Sequence, residues 1–174
     1  GIGPFAIQLA KHAHAKKVFA LEWNPHAIPL LQENIAQNKV EKIVRVFPGD
    51  VRKSVEHILG QCSRVIMPAP ETALEYLPHA LEALSPSKGG WIHCYFFVPA
   101  DGMMHAALGV IESATAPLSG KLVVKDIRQV NAFSPSKVQV CAALKYEPFS
   151  QSIPSSKMPA PPKSKSKYKP KTKK

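Results

Sequence analysis

Apolar positions along this chain follow two alternating rhythms. Short unbroken runs occur at Val18 to Leu21, Ile43 to Phe47, Arg64 to Met67 and Trp91 to Val98. They have the length and composition of strands buried on both faces. Between them the spacing turns helical. Pro4 to about Ala15 carries Phe5, Ile7, Leu9 and Ala10 as apolar bulk and closes on Lys16 and Lys17, where cations suit a helix C-terminus. Asn24 is placed to cap a second helix with Pro25 at its first position, and Ile28, Leu31 and Ile35 recur at helical spacing. Pro29 interrupts that pattern, so regular helix is expected only beyond it. Arg52 to Leu59 reads as a short helix. Leu74, Leu77, Leu81 and Leu84 mark one face of a longer one, kinked or shifted at Pro78. Ser85 to Gly90 is a turn, and Ala106 to about Ala114 a further helix. Leu122 to Val130 and Lys137 to Leu144 are two more strands, joined by Phe133-Ser134-Pro135-Ser136 and close enough to pair antiparallel.

Strands alternating with helices, closed by an antiparallel pair, predict an α/β fold with a mostly parallel sheet covered on both faces. From Pro148 onward Pro, Ser and Lys dominate and the periodicity ends, so 148–174 is expected to be a disordered basic tail behind a domain over 1–147. The tail also locates the charge. The net charge is +11, but eight of the lysines (Lys157, Lys163, Lys165, Lys167, Lys169, Lys171, Lys173 and Lys174) follow the last acid, Glu147. The domain itself is only mildly basic. Spaced lysines with few aromatics suit sequence-independent attraction to a phosphate backbone, or a solubilising or nucleolar-type address.

Cys62, Cys94 and Cys141 are scattered and odd in number, which predicts reduced, buried thiols and no zinc site. No apolar run has the length of a membrane span and no signal peptide is visible. A cytoplasmic protein is expected, with mitochondrial or nuclear pools if the source is eukaryotic.

Candidate chemistry gathers where the strands end, the side on which open α/β sheets bind ligands. Gly1-Ile2-Gly3 is a glycine turn opening a helix, and Glu22 follows about one strand later. That spacing suits backbone approach to a ligand and a carboxylate gripping ribose hydroxyls. Trp23 offers an apolar face to a base. Asp50 is able to accept from an exocyclic amine while the Val51 amide donates to a ring nitrogen. Pro68-Ala69-Pro70 ends the next strand. Each also has a plain structural reading: Glu22 and Asp50 as helix-start acids, Trp23 as packing, the prolines as a strand stop. Four in succession argue for one nucleoside-containing ligand. A nicotinamide dinucleotide remains open, because Ala6 at the third fingerprint position is also allowed there.

Gly-Ile-Gly-Pro-Phe, Val-Phe-Ala-Leu-Glu-Trp-Asn-Pro, Glu33-Asn34-Ile35 with Asn38-Lys39-Val40, Gly49-Asp50-Val51-Arg52, Arg64-Val65-Ile66-Met67, Ile92-His93-Cys94-Tyr95 and Phe133-Ser134-Pro135 together resemble the tRNA (guanine-37 N1)-methyltransferase family. The resemblance runs over about 1–144 in the family's order. It implies a Rossmann-like class I methyltransferase sheet, S-adenosylmethionine as methyl donor, and donor contacts at Gly1, Ile2, Gly3, Glu22, Trp23, Asp50, Val51 and Pro68. It implies the tRNA anticodon stem-loop as partner and a monomer.

The resemblance also implies that the first strand, the general base with its supporting arginine, and the tRNA-recognising region lie upstream of Gly1. No catalytic residue is therefore assigned. The family carries Asn-Leu-Pro where this chain has Pro68-Ala69-Pro70, which loses the amide that helps place the target guanine. That departure keeps open the wybutosine-pathway transferase, which moves an aminocarboxypropyl group from the same donor. A non-catalytic RNA-binding module is the third reading. His12, His14, His26, His57 and His79 are expected on helices as exposed polar positions, and His93 in a strand near the pocket. His105 has no argued role.

Overall fold

The computed structural model describes residues 1–118 and 121–148; the expected disorder of the basic tail therefore falls, Pro148 apart, outside the described residues. The elements run α1 (Pro4–His12), β1 (Val18–Glu22), α2 (Ala27–Gln37), β2 (Val44–Pro48), α3 (Val51–Ser54) leading into a 3₁₀ turn (Val55–Ile58), β3 (Arg64–Met67), a second 3₁₀ turn (Ala73–Tyr76) leading into α4 (Leu77–Ala83), β4 (Gly90–Pro99), α5 (Met103–Thr115), β5 (Lys121–Ser134) and β6 (Lys137–Glu147).

Local chemistry sets most boundaries. Pro4 follows a left-handed Gly3 and starts α1, whose Ile7 and Ala10 are buried. The helix stops at His12, short of the expected Ala15, because His14 is left-handed at φ 51° and cannot continue it. Asn24 does organise the next start: its Oδ1 accepts from the His26 N–H at 3.0 Å, and its carbonyl accepts from Ala27. Regular helix begins at Ala27, so His14 and His26 both sit outside helices. Pro29 falls in the first turn of α2, where an N–H has no intrahelical acceptor, so the ring costs no hydrogen bond. Pro78 is accommodated the same way. It occupies the first turn of α4, and the expected kinked helix is instead a 3₁₀ turn followed by an α-helix.

The sheet is mostly parallel with an antiparallel pair at one side, as expected, but its hydrogen bonding falls into two ladders. β1 and β2 pair in parallel, and β3-β4-β6-β5 form a second ladder in which β3–β4 is parallel and β6 runs antiparallel to both neighbours. No ladder joins β1 to β3 among the described residues. Each ladder has its own core. Ile7, Ala10, Val18, Leu31, Ile35, Val40 and Val44 pack on the small one. The larger core alternates along β4 (Ile92, Cys94, Phe96, Val98) and is covered by Leu77, Ala80, Ala107 and Ile111. Phe47, Val55, Ile58 and Ala83 bridge the halves, with Phe19, Leu21 and Val65 packed against them. No described helix is long and apolar enough to cross a membrane.

Candidate nucleoside site

Hydrogen bonds fix the end of β1. Glu22 Oε1 accepts from the Asn24 N–H at 2.7 Å. The Glu22 carbonyl accepts from the Gly49 N–H at 2.8 Å, which ties the end of β1 to the residue before Asp50. Gly49 sits at φ 111°, a conformation glycine adopts without strain. The glycine turn and Glu22 thus share one cleft at the carboxyl end of β1, and Asp50 follows Gly49 at the end of β2.

The turn is held from behind as well. Asn34 of α2 donates from Nδ2 to the Ile2 carbonyl at 3.0 Å. Gly3 has φ 93°, and a Cβ there would lie 2.4 Å from Leu31 Cδ1, so α2 packs where a side chain would be. Sequence reasoning gave Asn34 no role. Its place one helix on from the glycines, with an apolar Leu31 one turn earlier, is the signal that identifies it as a positioning residue.

A cleft of about 110 Å³ opens between Gly1, Gly3, Pro4, Phe5, Ala6, Ala20, Leu21, Glu22 and Leu31. That is smaller than a typical whole-ligand pocket of ~300 Å³ or more and suits a sugar-sized fragment. The Glu22 side chain is 13% exposed in its wall, and Trp23 beside it is 77% exposed. A larger hollow of about 500 Å³ lies between Lys17, Gln32, Ile35 and residues 41–46, at the amino ends of β1 and β2 and away from the glycine turn.

Asp50 performs the plain structural role in full. It caps α3 by accepting from the Arg52 N–H at 2.9 Å, and the Arg52 guanidinium lies against both carboxylate oxygens. Those hydrogen bonds hold its carboxyl at a pKa of about 2, well below the usual range. The Val51 N–H is one of those a helix start leaves without an intrahelical acceptor. Pro68 stands apart, exposed after β3 in the other ladder.

His93 faces a different set. Its Nε2 lies 2.6 Å from an Arg64 guanidinium nitrogen. Burial first, then the charges of Arg64 and Arg128, lower its pKa, so it is a neutral acceptor at pH 7. The thiols of Cys94 and Cys141 are buried, and burial pushes Cys94 up to about 12, which leaves it unreactive. No group of three or more His, Cys, Asp or Glu side chains among the described residues is arranged to hold a metal ion.

The tRNA (guanine(37)-N(1))-methyltransferase Trm5b of Pyrococcus abyssi is 36% identical over 140 residues, covering 80% of this chain and 40% of that protein. The Phytophthora infestans tRNA (guanine(37)-N(1))-methyltransferase is 34% identical over 148 residues, 81% of this chain and 35% of that protein. The chain thus spans well under half the length of these relatives. Among solved structures, M. jannaschii TYW2 in complex with AdoMet superposes with a TM-score of 0.76 at 29% identity, covering 85% of this chain and 65% of that one. Wild-type Trm5b from Pyrococcus abyssi gives 0.70 at 34% identity, covering 84% and 42%. The family described as the TRM5/TYW2 methyltransferase domain matches residues 1–123, more than half of the sequence. By this match and by these relatives, the chain belongs to the TRM5/TYW2 methyltransferase domain family.

Proposed function

We propose that residues 1–147 are the donor-binding catalytic domain of an S-adenosylmethionine-dependent tRNA methyltransferase acting on N1 of guanine-37, followed by a basic tail over 148–174. The observation that carries this reading is the cleft that the glycine turn and Glu22 line together, with the Glu22 carbonyl tied to Gly49 beside Asp50, in a chain whose relatives over four-fifths of its length are named guanine-37 N1-methyltransferases. The wall of the cleft fits the ribose end of the donor: a largely shielded carboxylate beside the apolar side chains of Ala20, Leu21 and Leu31.

Glu22 accepts the two ribose hydroxyls, Trp23 covers the adenine face, Asp50 accepts from its amine, and the Val51 N–H donates to a ring nitrogen. Ile2 and Gly3 present backbone to the donor, while Pro68 lies exposed after β3, outside the lining of the cleft. When bound, the donor supplies a methyl group already activated by its sulfonium. The protein's task is then to align guanine N1 with that methyl and remove the N1 proton, after the base has left its anticodon-loop stack. A related structure, the complex of aTrm5 with tRNALeu, shares this fold at a TM-score of 0.65. It supports tRNA as partner, and the anticodon stem-loop is the part of it that carries guanine-37. A cytoplasmic monomer, with mitochondrial or nuclear pools in a eukaryote, completes the reading.

Titration calorimetry of S-adenosylmethionine into the full-length protein tests it. Micromolar-range binding that Glu22→Ala abolishes is expected; a folded protein that binds no donor would leave only a salt-dependent RNA-binding module. A second reading has its own support. Pro68-Ala69-Pro70 replaces the family's Asn-Leu-Pro, and the TYW2 structure superposes better than Trm5b. Both observations favour aminocarboxypropyl transfer, and the mass of the RNA product separates the two.

A further inference from the structure

We propose that the end of the β5–β6 hairpin, through Phe133, Phe97 and Lys137, is a single-stranded RNA contact that stacks an unpaired base and holds its phosphate beside the donor site. The inference rests on the activity proposed above and adds residues that it does not use.

Three observations carry it. First, Phe133 is 63% exposed although it belongs to a long strand of the sheet. The register explains why. Pairing skips from Gln129 to Asn131 and from Ala132 to Ser134, so Val130 and Phe133 are the extra residues of two bulges. Both are exposed, Val130 at 49%. Bulges re-aim side chains, and here they turn two large apolar groups outward at the hairpin end.

Second, the outward ring is held in place. Phe133 lies 4.8 Å from Phe97, centroid to centroid, and Lys137 Nζ stands 4.6 Å from the Phe97 ring and 5.6 Å from that of Phe133. An aromatic ring fixed at low entropic cost, beside an exposed ammonium, suits the two faces of a nucleotide: base on ring, phosphate on cation. An apolar protein segment would leave Lys137 without an anionic partner.

Third, the cluster lies on the ligand side of the sheet. Phe97 is near the carboxyl end of the parallel strand β4, and Tyr95, two residues earlier on the same face, touches Phe5 at 5.8 Å. Phe5 lines the cleft behind the glycine turn. Aromatic side chains on one face, Phe5 with Tyr95 and Phe97 with Phe133, thus lie between the candidate donor site and the hairpin end, within reach of bases flanking a nucleotide held over that site.

The experiment uses the full-length protein with a fluorescein-labelled anticodon stem-loop RNA, comparing wild type, Phe133→Ala, Phe133→Tyr and Lys137→Gln. Anisotropy gives the RNA Kd, calorimetry gives the S-adenosylmethionine Kd, and melting temperature reports folding. Phe133→Ala is expected to weaken RNA binding about tenfold, with Phe133→Tyr restoring it. Lys137→Gln should lower the slope of log Kd against log salt by about 0.7, one phosphate contact on a single strand. Donor affinity should stay unchanged throughout. A Phe133→Ala protein that binds RNA within twofold of wild type, while wild type modifies it, overturns this inference alone. Lowered melting temperature with unchanged RNA affinity overturns it in favour of internal packing. A wild type that modifies no RNA overturns the activity reading, and this inference with it.

Discussion

Gly3 is where backbone geometry and packing ask for the same residue. Its φ of 93° strains any L side chain, and an added Cβ would meet Leu31 Cδ1 at 2.4 Å. Left-handed backbone costs ~1–2 kcal/mol and overpacking ~1–3, so Gly3→Ala is expected to lose ~2–4 kcal/mol in urea unfolding. Adding Leu31→Ala removes the clash but not the strain, so the double variant should lose less than the sum of the two single losses. Asp50 poses the opposite question, because its cap on α3 explains it without any ligand. Asn caps as well as Asp. Asp50→Asn should therefore keep the wild-type melting temperature, and about tenfold weaker donor binding would show that a ligand reads the carboxylate. Unchanged donor binding would reduce Asp50 to its cap.

His93 adds a pH dependence of known sign. Its folded pKa lies below the unfolded value of 6.5 because the site is partly buried and Arg64 and Arg128 face it. The unfolded chain thus takes up the proton first. The contribution is fully present above about pH 6.5 and is lost as pH falls through the lowered folded value. His93→Gln, whose amide oxygen still accepts from Arg64, should flatten the fall in melting temperature between pH 7 and 5.5. An equally steep fall in the variant would assign it to other groups.

At the scale of elements, the apolar rhythm was enough to find each strand and most helices, because burial on both faces leaves unbroken runs that little else produces. Its failures share one cause: they depend on atoms far apart in sequence. Pro29 and Pro78 looked like interruptions, yet both fall in first turns where a missing N–H costs nothing. β5 extends to Ser134 through Asn131 and Ala132, which no alternation marks, because β6 pairs with it across two bulges. The site was legible wherever a residue's type is its function, as at Gly3 and Glu22. It was illegible at Asn34, whose value is a hydrogen bond to Ile2 from 32 positions away.

Glycines show the same contrast and can be tested in pairs. A Cβ on Gly90 would come within 2.6 Å of the Ser63 carbonyl oxygen and 2.7 Å of Leu84, where β3 and β4 begin to pair. A Cβ on Gly109, exposed in α5, meets nothing within 4 Å. Gly90→Ala should cost ~1–3 kcal/mol, and Gly109→Ala should gain ~0.5–1. Urea midpoints that move in the same direction would contradict the packing described for β3 and β4.

The whole molecule divides its tasks unevenly. The four-stranded ladder carries the larger core, with Ile92, Cys94, Val140 and Ala142 fully shielded. The two-stranded ladder has a smaller core, and the proposed donor contacts at Gly1–Gly3, Glu22 and Asp50 belong to it. A ligand at a hundredfold its Kd stabilises what it binds by ~2.7 kcal/mol. In hydrogen exchange of the full-length protein, measured by mass spectrometry, saturating S-adenosylmethionine should therefore slow exchange in β1, at 49–52 and in α2, where Asn34 holds the turn, and leave β4–β6 largely unchanged. Protection appearing instead along β4–β6 would place the donor on the other ladder, beside His93.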